Sequence, residues 1–253
     1  MPAPSRVAGA PFLRRITALS ETTEPSAYPF NIRAFSHGID VAFRSRVTFF
    51  VGENGSGKST LLEALAECCG FNPEGGSHDH HRAVFADRSP LAQALRLSWL
   101  PKVTDGFFMR AESFYNFATY IDNVSNLRAY GGKSLHEQSH GESFISLFTN
   151  RFEQGLYILD EPEAALSPQR QLSFLKIIHD LATPGHAQFL IATHSPMILS
   201  YPGAVLFSLD GDGIEEIDYR ETKHFLVTRD FLNSPDRFFK HLFGTAKDPG
   251  TDA

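Results

Sequence analysis

The sequence predicts an α/β fold: a mostly parallel sheet flanked by helices, with an N-terminal antiparallel β part and a small helical insertion. Two observations carry this reading. An apolar run at Val47–Val51 feeds a helix-period segment at Lys58–Cys69 through a glycine-rich turn. Further on, Gly155–Asp160 and Gln188 to Thr193 read as parallel strands joined by a helix whose Leu172, Leu175, Ile178 and Leu181 recur at helical spacing, which makes a βαβ unit.

Element by element, residues 1–27 are rich in Pro, Ala, Ser and Thr and read as a peripheral arm with one strand-like stretch, Phe12 to Leu19. Short β-type runs follow at Asn31 to Phe35 and Ile39 to Phe43, before the buried run that is apolar apart from Thr48. The Lys58–Cys69 helix places Leu61, Leu65 and Cys68 on one face and stops at Gly70. A polar, turn-rich loop occupies residues 71–90. Leu91 to Trp99 reads as a short helix, Gly106–Arg110 as a short strand, and Glu112 to Arg128 as a helix, within an insertion of roughly 72–154. Past the βαβ unit, Ala204 to Asp210 and Gly213 to Tyr219 flank Gly211-Asp212 as a hairpin. A Phe-rich helical pair (Glu221 to Phe243) and a polar tail close the chain, so the main domain is expected over 28–245 and the tail over 246–253.

Composition narrows the function classes. With 253 residues, 42% hydrophobic and 21% charged, the chain can bury a full core, and disorder, collagen and coiled-coil arrays are excluded. No run approaches the length of a membrane span and the N-terminus lacks the apolar run of a signal peptide, so a cytoplasmic protein is expected. The two cysteines, Cys68 and Cys69, are adjacent in a helical pattern and read as small core hydrophobes, which excludes a disulfide framework. A net charge of -6 gives no electrostatic footprint for nucleic acid, although a local basic patch is compatible with it.

The segment Gly52, Glu53, Asn54, Gly55, Ser56, Gly57, Lys58, Ser59 matches GxxxxGK[ST] between a buried strand and an amphipathic helix. A triphosphate packs several negative charges together, and backbone amides converge on it only where side chains are missing, as at Gly52, Gly55 and Gly57. The helix N-terminus adds its dipole, Lys58 reaches the β- and γ-phosphates, Ser59 ligates Mg²⁺ and Thr60 adds a phosphate contact. Asp160 and Glu161 end a buried strand, where open α/β sheets bind ligands. Alternation along the strand gives them different roles: Asp160 to hold Mg²⁺ and Glu161 to polarise the attacking water as general base. His194 ends the neighbouring strand and is expected at the γ-phosphate or the attacking water, with a purely structural histidine as the alternative.

Gln138 to Glu142 (QSHGE) opens the apolar pattern Phe144, Phe148, Phe152. Ser139 and Glu142 form an SxxE capping box, which alone explains both residues. The same geometry also presents Ser139 and the amides around Gly141 as an anion site.

Together these residues resemble the ATP-binding cassette ATPases. GENGSGKS looks like the Walker A motif, QSHGE a variant of the LSGGQ signature, LYILDEP Walker B, EAALS the D-loop and IATHSP the switch-histidine segment, in the family's order over about Asn31 to Phe207. The resemblance implies a P-loop NTPase fold of the ABC ATPase type, ATP and Mg²⁺ as cofactors, and a homodimer that sandwiches two ATPs. In it, Ser139 and Gly141 of one copy would close on the nucleotide held by Lys58 of the other. Departures from the transporter pattern are His140 and Glu142 in the signature, and Ser167 where the D-loop usually has Asp. DEPEAALSP and THSP look more like the RecF, SMC and OLD-type ATPases, while the stretch from Ser59 to Ser139 is too short for an SMC coiled coil. The chain thus resembles the compact stand-alone members of that branch. A transporter ATP-binding subunit and a nucleotide-gated binding protein with negligible turnover are the alternatives.

No glutamine follows the Gly106–Arg110 strand as the family's Q-loop requires; Arg110-Ala111-Glu112 stands there, so Glu112 is a candidate Mg²⁺ or water contact, or simply a helix-start glutamate. For adenine stacking the spacing points to Phe35, with Tyr28 and Phe30 as rivals and core packing as the plain explanation. His78, Asp79, His80 and His81 crowd one polar loop and read as solvated rather than as a metal site. Ser139, Ser143 and Ser195 lack the strand-turn-helix elbow of a nucleophile.

Overall fold

In the computed structural model, residues 9–18, 26–72, 88–110 and 154–244, together with residues 145 and 148, are described. A six-stranded sheet has the order β5-β6-β7-β3-β8-β9. Its members are β3 (Val47–Val51), β5 (Gly106–Arg110), β6 (Gly155–Asp160), β7 (Ala187–Ala192), β8 (Val205–Ser208) and β9 (Glu215–Ile217). All pairings are parallel except that of β8 with β9. A three-stranded antiparallel sheet of order β2-β1-β4 is built from β1 (Leu13–Ala18), β2 (Ile39–Ala42) and β4 (Arg96–Trp99).

Alternation along the central strands splits the core into two layers. Val47, Phe49, Val51, Phe189 and Ile191 face α3 (Pro168–Ala182) and α4 (Pro196–Leu199), through Phe174, Ile178 and Ile198. Phe50, Ile158, Leu190 and Ala192 face the other way, onto Leu61, Leu62 and Leu65 of α1 (Lys58–Cys69) and onto Leu13, Ile16 and Val41 of the small sheet. Burying each such side chain contributes about 1.5–3 kcal/mol, so the central strands are rigidly held. α2 (Pro90–Ala94) packs beside α1, while α5 (Lys223–Asn233) and α6 (Pro235–Phe243) follow the hairpin.

Several expectations are corrected. The strand inside the N-terminal arm is the middle strand of the small sheet, so residues 9–18 belong to the body. The cause is a distant partner: the buried Gln188 side chain accepts from the Phe12 and Leu13 amides at 2.8 and 2.9 Å and donates to the Leu13 carbonyl at 2.9 Å. Arg33–Phe35 forms a 3-10 turn rather than a strand, closed by the Phe35 amide donating to the Ile32 carbonyl at 2.8 Å. The segment read as a short helix at Leu91 to Trp99 is helical only through Ala94; Arg96–Trp99 pairs with β1. The expected helix at Glu112 to Arg128, the His78 to His81 loop and the 246–253 tail lie outside the described residues.

Candidate functional site

β3 ends at Val51, and the chain turns through Gly52 to Gly57 into α1. Gly57 must be glycine: its φ is 102°, and a Cβ there would lie 2.9 Å from Phe35 Cζ and 3.0 Å from Ile32 Cγ2. As the N-cap of α1 it offers no side-chain bond, which leaves the first-turn amides open to an anion. Lys58 is 4% exposed, and its Nζ donates to the carbonyls of Gly52 at 2.7 Å and Glu53 at 3.1 Å. Burial pulls its ammonium below the usual lysine range, opposed by the carboxylates Glu161, Asp160, Asp210 and Glu163. Within the same loop the Ser56 hydroxyl is buried without a hydrogen-bond partner.

β6 and β7 lie beside β3, and their C-terminal ends bring the other expected residues to the same edge. Asp160 is 4% exposed; its Oδ1 is buried without a partner, while Arg110 Nε stands 3.5 Å from Oδ2. Burial pushes this carboxyl up to about 6, against a hydrogen bond from Ser59 and the charge of Arg110. Ser59 and Asp160 supply hard oxygen donors with one carboxylate oxygen unspent, and this donor set fits Mg²⁺. Glu161 adopts φ 52°, the one positive φ outside glycine among the described residues. Such strain persists where the surroundings over-determine it, typically at functional positions. Its Oε1 lies 3.1 Å from His194 Nε2.

Three further residues hold the site together and were not anticipated. Glu163 Oε1 accepts from the His194 amide at 2.5 Å, tying the end of β6 to the end of β7; burial raises its carboxyl above the usual range. Asp210, just past β8, accepts the Glu53 amide at 2.7 Å and braces the glycine loop. His224 of α5 places Nε2 2.7 Å from His194 Nδ1, next to Lys223, whose Nζ is 3.3 Å from Glu53 Oε1. Asp210 was findable, since it too follows a parallel strand at the ligand-binding edge. Nothing local in the sequence marks His224.

The aromatic expectation is corrected. Phe35 is 3% exposed and packed under Gly57, so its ring belongs to the core; Tyr28 is 67% exposed and its hydroxyl lies 3.1 Å from Thr60 Oγ1. At the position of the missing Q-loop glutamine, Arg110 pairs with Glu63 and approaches Asp160. Glu112, Ser139, Gly141 and the rest of QSHGE lie outside the described residues, although Phe148, which follows them, is buried edge-on to Phe174. Ser195 caps α4, accepting from the Ile198 amide and donating to Gln171, which accounts for it without nucleophilic chemistry. Burial raises the Cys68 thiol to about 11 and Cys69 further, so neither is a reactive thiolate. No helix among the described residues is long and apolar enough to cross a membrane.

Comparison with known proteins bears on this arrangement. Residues 30–94 match the family model "AAA domain", and residues 139–200 match "AAA domain, putative AbiEii toxin, Type IV TA system". The hemin import ATP-binding protein HmuV of Aliivibrio fischeri is 24% identical over 78% of this chain and 83% of its own length. HmuV of Chelativorans sp. is 29% identical over 60% of this chain and 67% of its own. The ribose import ATP-binding protein RbsA 2 of Burkholderia ambifaria is 27% identical over 71% of this chain but only 40% of its own length. Among solved structures, cbiO1 of Clostridium perfringens, part of the ABC transporter complex cbiONQ, aligns over 91% of this chain and 99% of that one at 16% identity and TM-score 0.49. The SMC head domain of Thermotoga maritima aligns over 82% and 98% at 14% identity and TM-score 0.46. With the lysine loop, the carboxylate pair and the histidine at one sheet edge, and with AAA-domain matches falling on both halves of the site, the chain carries a P-loop ATPase site similar to those of ABC ATP-binding proteins.

Proposed function

We propose that this chain hydrolyses Mg-ATP as a nucleotide-sandwiched homodimer, with each composite site drawing on both copies. One observation supports this above the others: Lys58, Asp160, Glu161 and His194 converge from the C-terminal ends of the adjacent strands β3, β6 and β7. The glycine loop and the α1 N-terminus bind the phosphates, and Lys58 leaves its loop carbonyls to neutralise the β- and γ-oxygens. Ser59 and Asp160 would hold Mg²⁺, which when bound supplies charge neutralisation along the phosphate chain. Glu161 orients water in line with the γ-phosphate and takes its proton, while His194, 3.1 Å away, fixes the carboxylate and contacts the γ-phosphate. Tyr28 stacks on the adenine. Ser139 and Gly141 of the second copy close the site, and hydrolysis reopens the dimer.

The output of this cycle belongs to the DNA-repair, defence or protein-remodelling class. Defence is supported by the similarity of residues 139–200 to the AAA domain, putative AbiEii toxin, of Type IV TA systems. The import proteins among the relatives favour a second reading, an ATP-binding subunit that works with a membrane partner. Turnover by the purified chain alone supports the first reading, and turnover only with a permease supports the second. For the dimer, Glu161→Gln is expected to bind ATP without cleaving it and to run at twice the monomer mass in light scattering with Mg-ATP. A Glu161→Gln protein that stays monomeric at saturating Mg-ATP, or turns over at the wild-type rate, overturns the proposal.

A further inference from the structure

Past the hairpin, the chain returns to the nucleotide edge. Thr222 is buried and caps α5, its hydroxyl accepting from the Phe225 amide at 3.3 Å and donating to the Tyr219 carbonyl at 2.6 Å. Tyr219 packs edge-on against Phe225, with ring centroids 5.3 Å apart. The first turn of α5 is therefore fixed, and its two leading side chains diverge onto two walls of the site. Lys223 reaches Glu53 of the glycine loop at 3.3 Å, and His224 reaches His194 at 2.7 Å with the rings edge to face.

With both imidazoles neutral, hydrogen counting along this line leaves one consistent arrangement. An ionised Glu161 only accepts, so the hydrogen in its 3.1 Å contact sits on His194 Nε2. A neutral His194 then carries a bare Nδ1, and the 2.7 Å contact there exists only if His224 Nε2 donates. We infer that His224 is a positioning residue for ATP hydrolysis, holding His194 in the Nε2–H tautomer and aiming that hydrogen at Glu161 and the γ-phosphate. Burial holds His224 below the ordinary imidazole range, which keeps it neutral as the chain of donors requires; Glu53, Lys58 and Asp210 are the charged groups around it. Lys223, from the same turn, contacts Glu53 of the glycine loop.

This inference rests on the reading of His194 given above, and a double-mutant cycle separates the two. Steady-state turnover and ATP affinity are measured for the wild type, His194→Ala, His224→Ala, His224→Gln and the double alanine variant, each checked by thermal unfolding. Losing the partner that orients a metal-bound imidazole commonly costs about 10–100-fold in activity, and that scale is carried over to His194. His224→Ala is expected to lower kcat by that factor with ATP Kd within about twofold. His224→Gln, whose amide nitrogen replaces the lost donor, is expected to recover most of it. In the His194→Ala background, His224→Ala is expected to have no further effect. Long-range nitrogen NMR of the His194 ring is expected to show a protonated Nε2 and a bare Nδ1. Multiplicative losses in the double variant, a glutamine no better than alanine, or an unchanged kcat in His224→Ala overturns the role of His224. An unchanged kcat in His194→Ala instead overturns the reading of His194 and this inference with it. Should His224→Ala not fold, His224→Leu fills the same space without a donor and takes its place against His224→Gln.

Discussion

Asp160→Asn should make the ligand-free protein more stable while abolishing turnover. The carboxylate is 4% exposed, has one oxygen without a partner, and is pushed up to about 6 by burial. Against an ordinary aspartate value of about 3.9, that shift of roughly two units corresponds to about 3 kcal/mol of penalty for keeping the group ionised. The sign follows from linkage. A carboxyl raised in the folded state supports the fold fully below its unfolded pKa and loses that support as pH rises through the folded one. The advantage of asparagine is thus absent near pH 3.5, grows between about 4 and 6, and is complete above pH 7. A buried amide with its own unmet hydrogen bonds offsets part of the gain, leaving about 1–2 kcal/mol, or roughly 2–8 °C in Tm for a chain of this size. Calorimetric unfolding of both proteins in EDTA, at pH 5 and pH 7.5, checks the size and direction. A variant less stable than wild type at pH 7.5, or a gap that shrinks as pH rises, refutes the picture of a carboxylate kept charged at the expense of the fold.

Three other outcomes follow from the site geometry. Tyr28→Ala should weaken ATP binding about 10-fold with Tm unchanged, whereas Phe35→Ala should cost about 3–5 kcal/mol in denaturant unfolding; equal effects on both properties would contradict the assignment of Phe35 to the core. Gly57→Ala should lose about 2–4 kcal/mol and bind ATP poorly, because an alanine at φ 102° meets both Phe35 and Ile32. Glu163→Gln should slow turnover while leaving ATP affinity near wild type, since it loosens the bond to the His194 amide and not the phosphate loop; a pure affinity effect in a titration would count against it.

Local pattern reached the parts of the fold that local forces decide. The helix read at Lys58–Cys69 and the strands at Val47–Val51, Gly106–Arg110 and Gly155–Asp160 have those same bounds in the structure, since apolar periodicity, the glycine turn and the Gly70 stop all agree. Where a distant partner decides, the reading fell short. Leu13–Ala18 is a strand as read, but it is the middle strand of the small sheet rather than part of a peripheral arm, with Gln188 anchoring its start, and Arg96–Trp99 is a strand rather than helix because β1 offers it an edge. That Lys58, Asp160, Glu161 and His194 gather at one sheet edge was legible, because strand ends and the glycine turn that follows β3 fix their places. Glu163, Asp210 and His224 act through hydrogen bonds that join segments far apart in sequence, and Phe35 was misplaced because spacing alone does not distinguish a ring above the loop from one beneath it.

The central claim, that the Lys58 loop takes the phosphates of ATP, is tested most directly by isothermal titration of ATP with magnesium into the wild type and Lys58→Ala. The account predicts saturable binding of one ATP per chain in the wild type and none in the variant, with both equally folded by circular dichroism. Wild-type protein that gives no binding heat by titration and no shift in unfolding temperature with ATP, or a folded Lys58→Ala that binds as tightly as wild type, would contradict it.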